Sequence, residues 1–285
     1  MALTGTRSRA PYDPPVEAID GSNGFDADSA VEPLGDGAYR GTITPAWFAP
    51  PGPNGGFIAA VVLRAIRAEV GDPQRVPRSL TLHYLRPPAA GEVRVEVTVE
   101  RSGRTATTCS ARLFQDDRLL TIALCVLGTG WVGAVDWSAP MPEAPPPEEV
   151  EEMSLPGGRP VIFDHLETRA VFGPAPFSDG DEAVTGGWLR TRRPAQMAHE
   201  LLCLYADAWW PAPFGVVDRV VAAPTLDLTI HFRGQPDPDD SLCLVRFRSL
   251  ASAEGTFDEE GEVWSRDGRL LVQSRQLALL RDLPG

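Results

Sequence analysis

Polar and apolar residues alternate with a period of two along much of this chain. Between 92 and 101, Val93, Val95, Val97 and Val99 fall on one side and Arg94, Glu96, Thr98 and Glu100 on the other, the spacing of a strand with one buried face. Similar patterns predict strands over 37–44, 79–85, 105–115 and 119–127. A second series covers 166–172, 184–191, 225–232, 241–249, 255–265 and 270–280. Two stretches depart from the period. Residues 56–69 run nearly without a polar stripe, Phe57 to Leu63 being wholly apolar, and 199–210 is comparable. Both read as helices, and a helix apolar all round must be wrapped on most sides.

The chain also repeats itself. Leu80-Thr81-Leu82-His83-Tyr84 returns as Leu228-Thr229-Ile230-His231-Phe232, a displacement of 148 (231 − 83). Asp117-Arg118-Leu119-Leu120 returns as Gly268-Arg269-Leu270-Leu271, displaced by 151 (269 − 118). A period this long indicates two fused copies of one small domain rather than a solenoid. One helix with about five long antiparallel strands per copy implies a sheet curled around a helix. The expected fold is α+β: a tandem double hotdog, each half a long curved antiparallel sheet wrapped around a central helix. The expected divisions are an extended arm over 1–30, a first hotdog domain over 31–131, a Pro- and Glu-rich linker over 132–160 and a second hotdog domain over 161–285.

Composition narrows the function. A net charge of −13 argues against a general nucleic-acid binder. All 26 cations are arginine, either a genomic bias or a supply of phosphate clamps. Cys109, Cys125, Cys203 and Cys243 lack CxxC spacing and read as core residues of a reduced, intracellular protein. The N-terminus lacks the charged and apolar segments of a signal peptide, and the apolar runs are too short to cross a bilayer. A cytoplasmic protein without membrane insertion is expected, its oligomeric state left open between monomer and homo-oligomer.

Three polar residues distinguish the second copy. Thr225 stands where the first copy has Pro77, Gln276 where it has Cys125, and Asp207 lies in a helix whose counterpart has no acid before Glu69. Gln276 shares a strand face with Val272, Ser274, Ala278 and Leu280, so its amide points inward. A buried amide needs partners, either neighbouring backbone or a catalytic water or substrate carbonyl. Asp207 sits late in an apolar helix, where the macrodipole disfavours an anion; it is either an exposed helix-end acid or a general base with a burial-raised pKa. Alternation places Thr225 with Asp227 and Thr229, away from Leu228. To face a site beneath the sheet it must use an irregular strand entry after Pro224.

Three stretches carry a family resemblance: Tyr84-Leu85-Arg86-Pro87, the segment from Leu201 to Asp207, and Thr225-Leu226-Asp227. Across about 35–281 the chain resembles the acyl-CoA thioesterase II family, double-hotdog hydrolases. The resemblance puts the family's catalytic Asp, Thr and Gln on Asp207, Thr225 and Gln276, and implies hydrolysis of an acyl-CoA substrate without metal or redox cofactor, CoA being part of the substrate. It implies water activated by Asp207 and oriented by Thr225 and Gln276, or direct attack by Asp207 to give an anhydride. Asn54-Gly55-Gly56 resembles the family's Gly-Gly helix start; the N–H groups of Gly55 and Gly56 either hold the substrate oxyanion or serve a tight turn. The chain departs from the family at Ala206, commonly serine, and Leu228, commonly histidine. Competing readings are a non-catalytic acyl-CoA or lipid-binding protein and a hotdog hydratase, although the usual Asp/His hydratase pattern is missing. No GxSxG elbow or HExxH metal spacing is present.

Overall fold

The alternating segments pair into one antiparallel sheet. In the computed structural model, residues 22–49, 52–131, 133–153 and 160–283 are described. The first half supplies β1 (Glu32–Gly35), β2 (Ala38–Ile43), β3 (Val76–Tyr84), β4 (Gly91–Ser102), β5 (Ala106–Gln115) and β6 (Arg118–Gly128). The second supplies β7 (Leu166–Phe172), β8 (Val184–Thr191), β9 (Thr225–Phe232), β10 (Cys243–Arg248), β11 (Thr256–Ser265) and β12 (Leu270–Leu279). Their order is β1-β2-β4-β5-β6-β3-β9-β12-β11-β10-β8-β7, with a two-residue strand, Ser252–Ala253, beside β11. Read outward from the centre, the two halves have the same order.

The repeated motif forms the seam. In β3 and β9, Leu80 faces Ile230, Leu82 faces Leu228 and Thr81 faces Thr229, the two threonine hydroxyls lying 3.1 Å apart. Each strand of the seam turns alternate apolar residues into the core. The halves therefore share one core around helices α1 (Gly55–Val70) and α2 (His199–Tyr205). Asn54 caps α1 by accepting the Phe57 N–H at 2.9 Å, and Gly71 ends it at φ +64°. Gly56 lets the helices touch: a Cβ there would lie 2.4 Å from the Cys203 carbonyl oxygen.

Two expectations are refined. The helix expected over 199–210 stops at Tyr205, with Ala206 as its C-cap and Asp207 beyond the helix. Its carboxylate thereby leaves an unfavourable C-terminus for the N-terminal amides of α1, where the dipole favours an anion. The arm expected over 1–30 lies outside the described residues as far as 21. Its remainder is folded: Phe25–Asp28 form a helical turn, Phe25 meeting Trp47 edge-on at 5.7 Å and Asp28 accepting the Trp47 Nε1–H at 2.9 Å.

The Pro-rich segment has too little apolar content for its own core, so it borrows one. Met141, Ala144 and Val150 cover Trp188, Leu244 and Trp264 on the outer face of the second half, and Trp188 Nε1–H donates to the Pro145 carbonyl at 2.9 Å. Among the described residues, no helix is long and apolar enough to cross a membrane.

Candidate active site

A bulge aims Thr225 inward. Thr225 pairs with Ala278 but Asp227 pairs with Leu277, so Leu226 is an extra residue in β9. The extra residue reverses the side-chain alternation, putting Thr225 on the core side. Its hydroxyl donates to Gln276 Oε1 at 2.8 Å. Gln276 points inward as its β12 alternation requires and is 6% exposed.

Opposite Gln276 in register, on β11, lies Glu259, 4% exposed. Gln276 Nε2 donates to Glu259 Oε1 at 2.6 Å, and the Ala212 N–H donates to its other oxygen at 2.6 Å. The run Asp258-Glu259-Glu260 suggests a solvated face by composition. The usable signal was the alternation of Phe257, Glu259, Gly261 and Val263, all buried.

Asp207 meets the first half. Its Oδ2 accepts the Gly56 N–H and Asn54 Nδ2–H at 3.0 Å each, while Asn54 also donates to the Asp207 backbone oxygen at 2.6 Å. The Gly56 amide is thus engaged by a carboxylate rather than free for an oxyanion. Gly55 packs there too: a Cβ would lie 3.0 Å from Asp207 Oδ2 and 3.1 Å from the Tyr84 ring. The Tyr84 hydroxyl donates to the Gly55 carbonyl at 2.8 Å. The assignments drawn from the sequence omitted Asn54, although it adjoins the Gly-Gly pair.

These groups line one cavity of about 330 Å³, walled by Ile58, Phe163, Trp209, Trp210, Phe214 and Phe257. Burial pushes the Asp207 carboxyl up to about 6, against the pull of the Gly56 and Gly55 amides and the Gln276 and Asn54 side chains. Burial raises Glu259 to about 7, countered by Ala212 and Gln276 and reinforced by the charge of Asp207. The site therefore combines a buried carboxyl raised to about 6, a hydroxyl–amide pair and an apolar chamber. Such an arrangement suits water activation beside an apolar acyl group.

Comparison with known proteins agrees with this architecture. Residues 44–133 match the acyl-CoA thioesterase N-terminal domain and 141–280 the C-terminal domain. An uncharacterized protein of Mycobacterium tuberculosis is 29% identical over 269 residues, covering 85% of this chain and 90% of the relative. A hotdog-fold protein of unknown function from Alicyclobacillus acidocaldarius has a TM-score of 0.81 at 27% identity, covering 91% of this chain and 98% of that one. A candidate thioesterase II from Thermobifida fusca has a TM-score of 0.79 at 26% identity, with coverages of 90% and 97%. With both domains matched in order on a doubled hotdog, the chain belongs to the acyl-CoA thioesterase II-like family.

Proposed function

We propose that this chain hydrolyses acyl-CoA thioesters, with Asp207 as general base and Thr225 and Gln276 orienting the attacking water. The observation that carries the reading is the placement of a burial-raised carboxylate beside the Thr225–Gln276 pair in a mainly apolar cavity. Ionised Asp207 takes a proton from water as the oxygen adds to the thioester carbonyl. The tetrahedral intermediate then collapses with cleavage of the C–S bond, and the proton passes to the departing CoA sulfur. The free acid and CoA thiol balance the reaction without a cofactor.

In this reading the α1 amides of Gly55 and Gly56 act first on Asp207, holding its carboxylate in place. An oxyanion role requires the carbonyl oxygen to share those donors. The apolar wall receives the acyl chain, and exposed Arg86, which also lines the cavity, is placed to meet CoA phosphates. Thiol release from a panel of acyl-CoAs differing in chain length tests the proposal on the full chain. Turnover of at least one substrate is expected. Saturable acyl-CoA binding without thiol release across the panel would instead support a carrier.

A further inference from the structure

Glu259 has no part in the reaction just described, yet it occupies the same cavity. Another equally buried acid, Glu200, meets a cation, Arg67, at 2.7 Å. Among the described residues Glu259 has no such partner; its oxygens receive only the Gln276 amide and the Ala212 N–H. A carboxylate buried with neutral partners is costly to the fold. It is also confined to one half: the corresponding register pair in the first half is Cys109 opposite Cys125, displaced by 150 (259 − 109) and 151 (276 − 125).

The hydrogen-bond geometry shows what the acid can do. An ionised carboxylate only accepts, whereas the two ends of a glutamine amide are a donor and an acceptor. Flipping Gln276 would set its Oε1 against a Glu259 oxygen, so the carboxylate selects the orientation with Nε2 toward itself. Oε1 is then left for Thr225, whose single hydroxyl hydrogen must donate to it. The Thr225 lone pairs remain available to accept from a water, and the Gln276 amide remains available to stabilise ionised Asp207.

We infer that Glu259 is the positioning residue of this site, fixing the Gln276 amide so that Thr225 presents an acceptor and Gln276 a donor toward the reacting groups. The inference rests on the thioesterase reading for its catalytic consequence, though the hydrogen-bond arrangement can be tested separately.

The direct test uses ¹⁵N-labelled full-length chain at pH 8, with the Gln276 side-chain amide signals assigned by their loss in Gln276→Ala. In the wild type, the proton facing Glu259 should resonate downfield. Glu259→Gln should remove that shift, while Glu259→Asp, which keeps two acceptor oxygens, should retain part of it and supplies the comparison if Glu259→Gln does not fold. Amide signals unchanged in either variant would overturn the inference, whether or not the chain turns over acyl-CoA. With an active wild type, Glu259→Gln should lower kcat by about 10- to 100-fold with KM little changed, and should add almost nothing in a Gln276→Ala background. Full additivity would also overturn the inference, because Glu259 would then act independently of Gln276. Absence of wild-type turnover would defeat the hydrolase reading alone, leaving the amide signals to decide the positioning role.

Discussion

The two halves have the same strand order and even the same irregular entry, but the core-facing residues at their equivalent positions differ. Pro77 occupies the first-half bulge, where Pro77 pairs with Leu127 and Ser79 with Val126; Thr225 occupies its counterpart. Cys109 and Cys125 stand in the positions of Glu259 and Gln276. Proline has no hydroxyl, and burial pushes the Cys109 thiol up to about 11 and that of Cys125 higher still. These residues cannot reproduce the second half's hydrogen-bond chain. The first half nevertheless supplies Asn54, Gly55, Gly56 and Tyr84. Among the described residues, the doubled fold thus carries one divided candidate site: amides and a helix terminus from one half meet carboxylates and an amide–hydroxyl pair from the other.

The largest effect is expected from Asp207→Asn. It should preserve the fold and acyl-CoA binding while reducing hydrolysis by about 10² to 10⁴-fold, measured by steady-state thiol release. Robust turnover after this change would remove Asp207 as the base. Thr225→Ala and Gln276→Ala should each reduce kcat by about 10- to 100-fold, and the double variant should lose less than the product of the two effects because the groups act as a unit.

The raised acids predict a pH response. As pH falls through about 7 and then about 6, Glu259 and Asp207 take up protons, so kcat/KM should decline over that interval. Stability has the opposite dependence. Both folded-state values exceed the ordinary carboxylate values, so the folded protein increasingly pays for ionisation as pH rises from about 4 through 6 to 7. Asp207→Asn should therefore raise the Tm relative to wild type at pH 8, with the gain disappearing near pH 4. An equal Tm difference at both values would contradict a burial-raised Asp207.

Gly56→Ala tests the meeting of the halves. Its new methyl would collide with the Cys203 carbonyl oxygen, and urea unfolding should register a loss of about 1–3 kcal/mol from overpacking. The smallest catalytic effect is expected at Cys125→Ala: kcat should stay unchanged while truncation costs on the order of 1 kcal/mol. A large loss of turnover there would mean that the first-half counterpart contributes to the chemistry.

Much of this organisation was legible along the chain. Period-two alternation turned Gln276 inward, the repeat implied a doubled architecture, and the stripe-free Phe57 to Leu63 segment required a wrapped helix. Thr225 was harder because strict alternation pointed it outward; only the unpaired Leu226 in the bulge corrected its direction. Asp207 appeared helical because the apolar run continues to Trp210, although the helix ends at Tyr205.

Local sequence determined the strand faces, the repeated unit and the residue types able to supply a base and polar partners, since these depend on spacing and side-chain chemistry. Tertiary structure decided which acids became unusual. Asp207 and Asn54 are 153 positions apart yet bonded at 3.0 Å, and Glu259 lies between two other acids in sequence but beneath an apolar wall in space. Burial and the direction of neighbouring hydrogen bonds set their protonation and orientation, and both arise only when distant strands and the two helix ends are brought together.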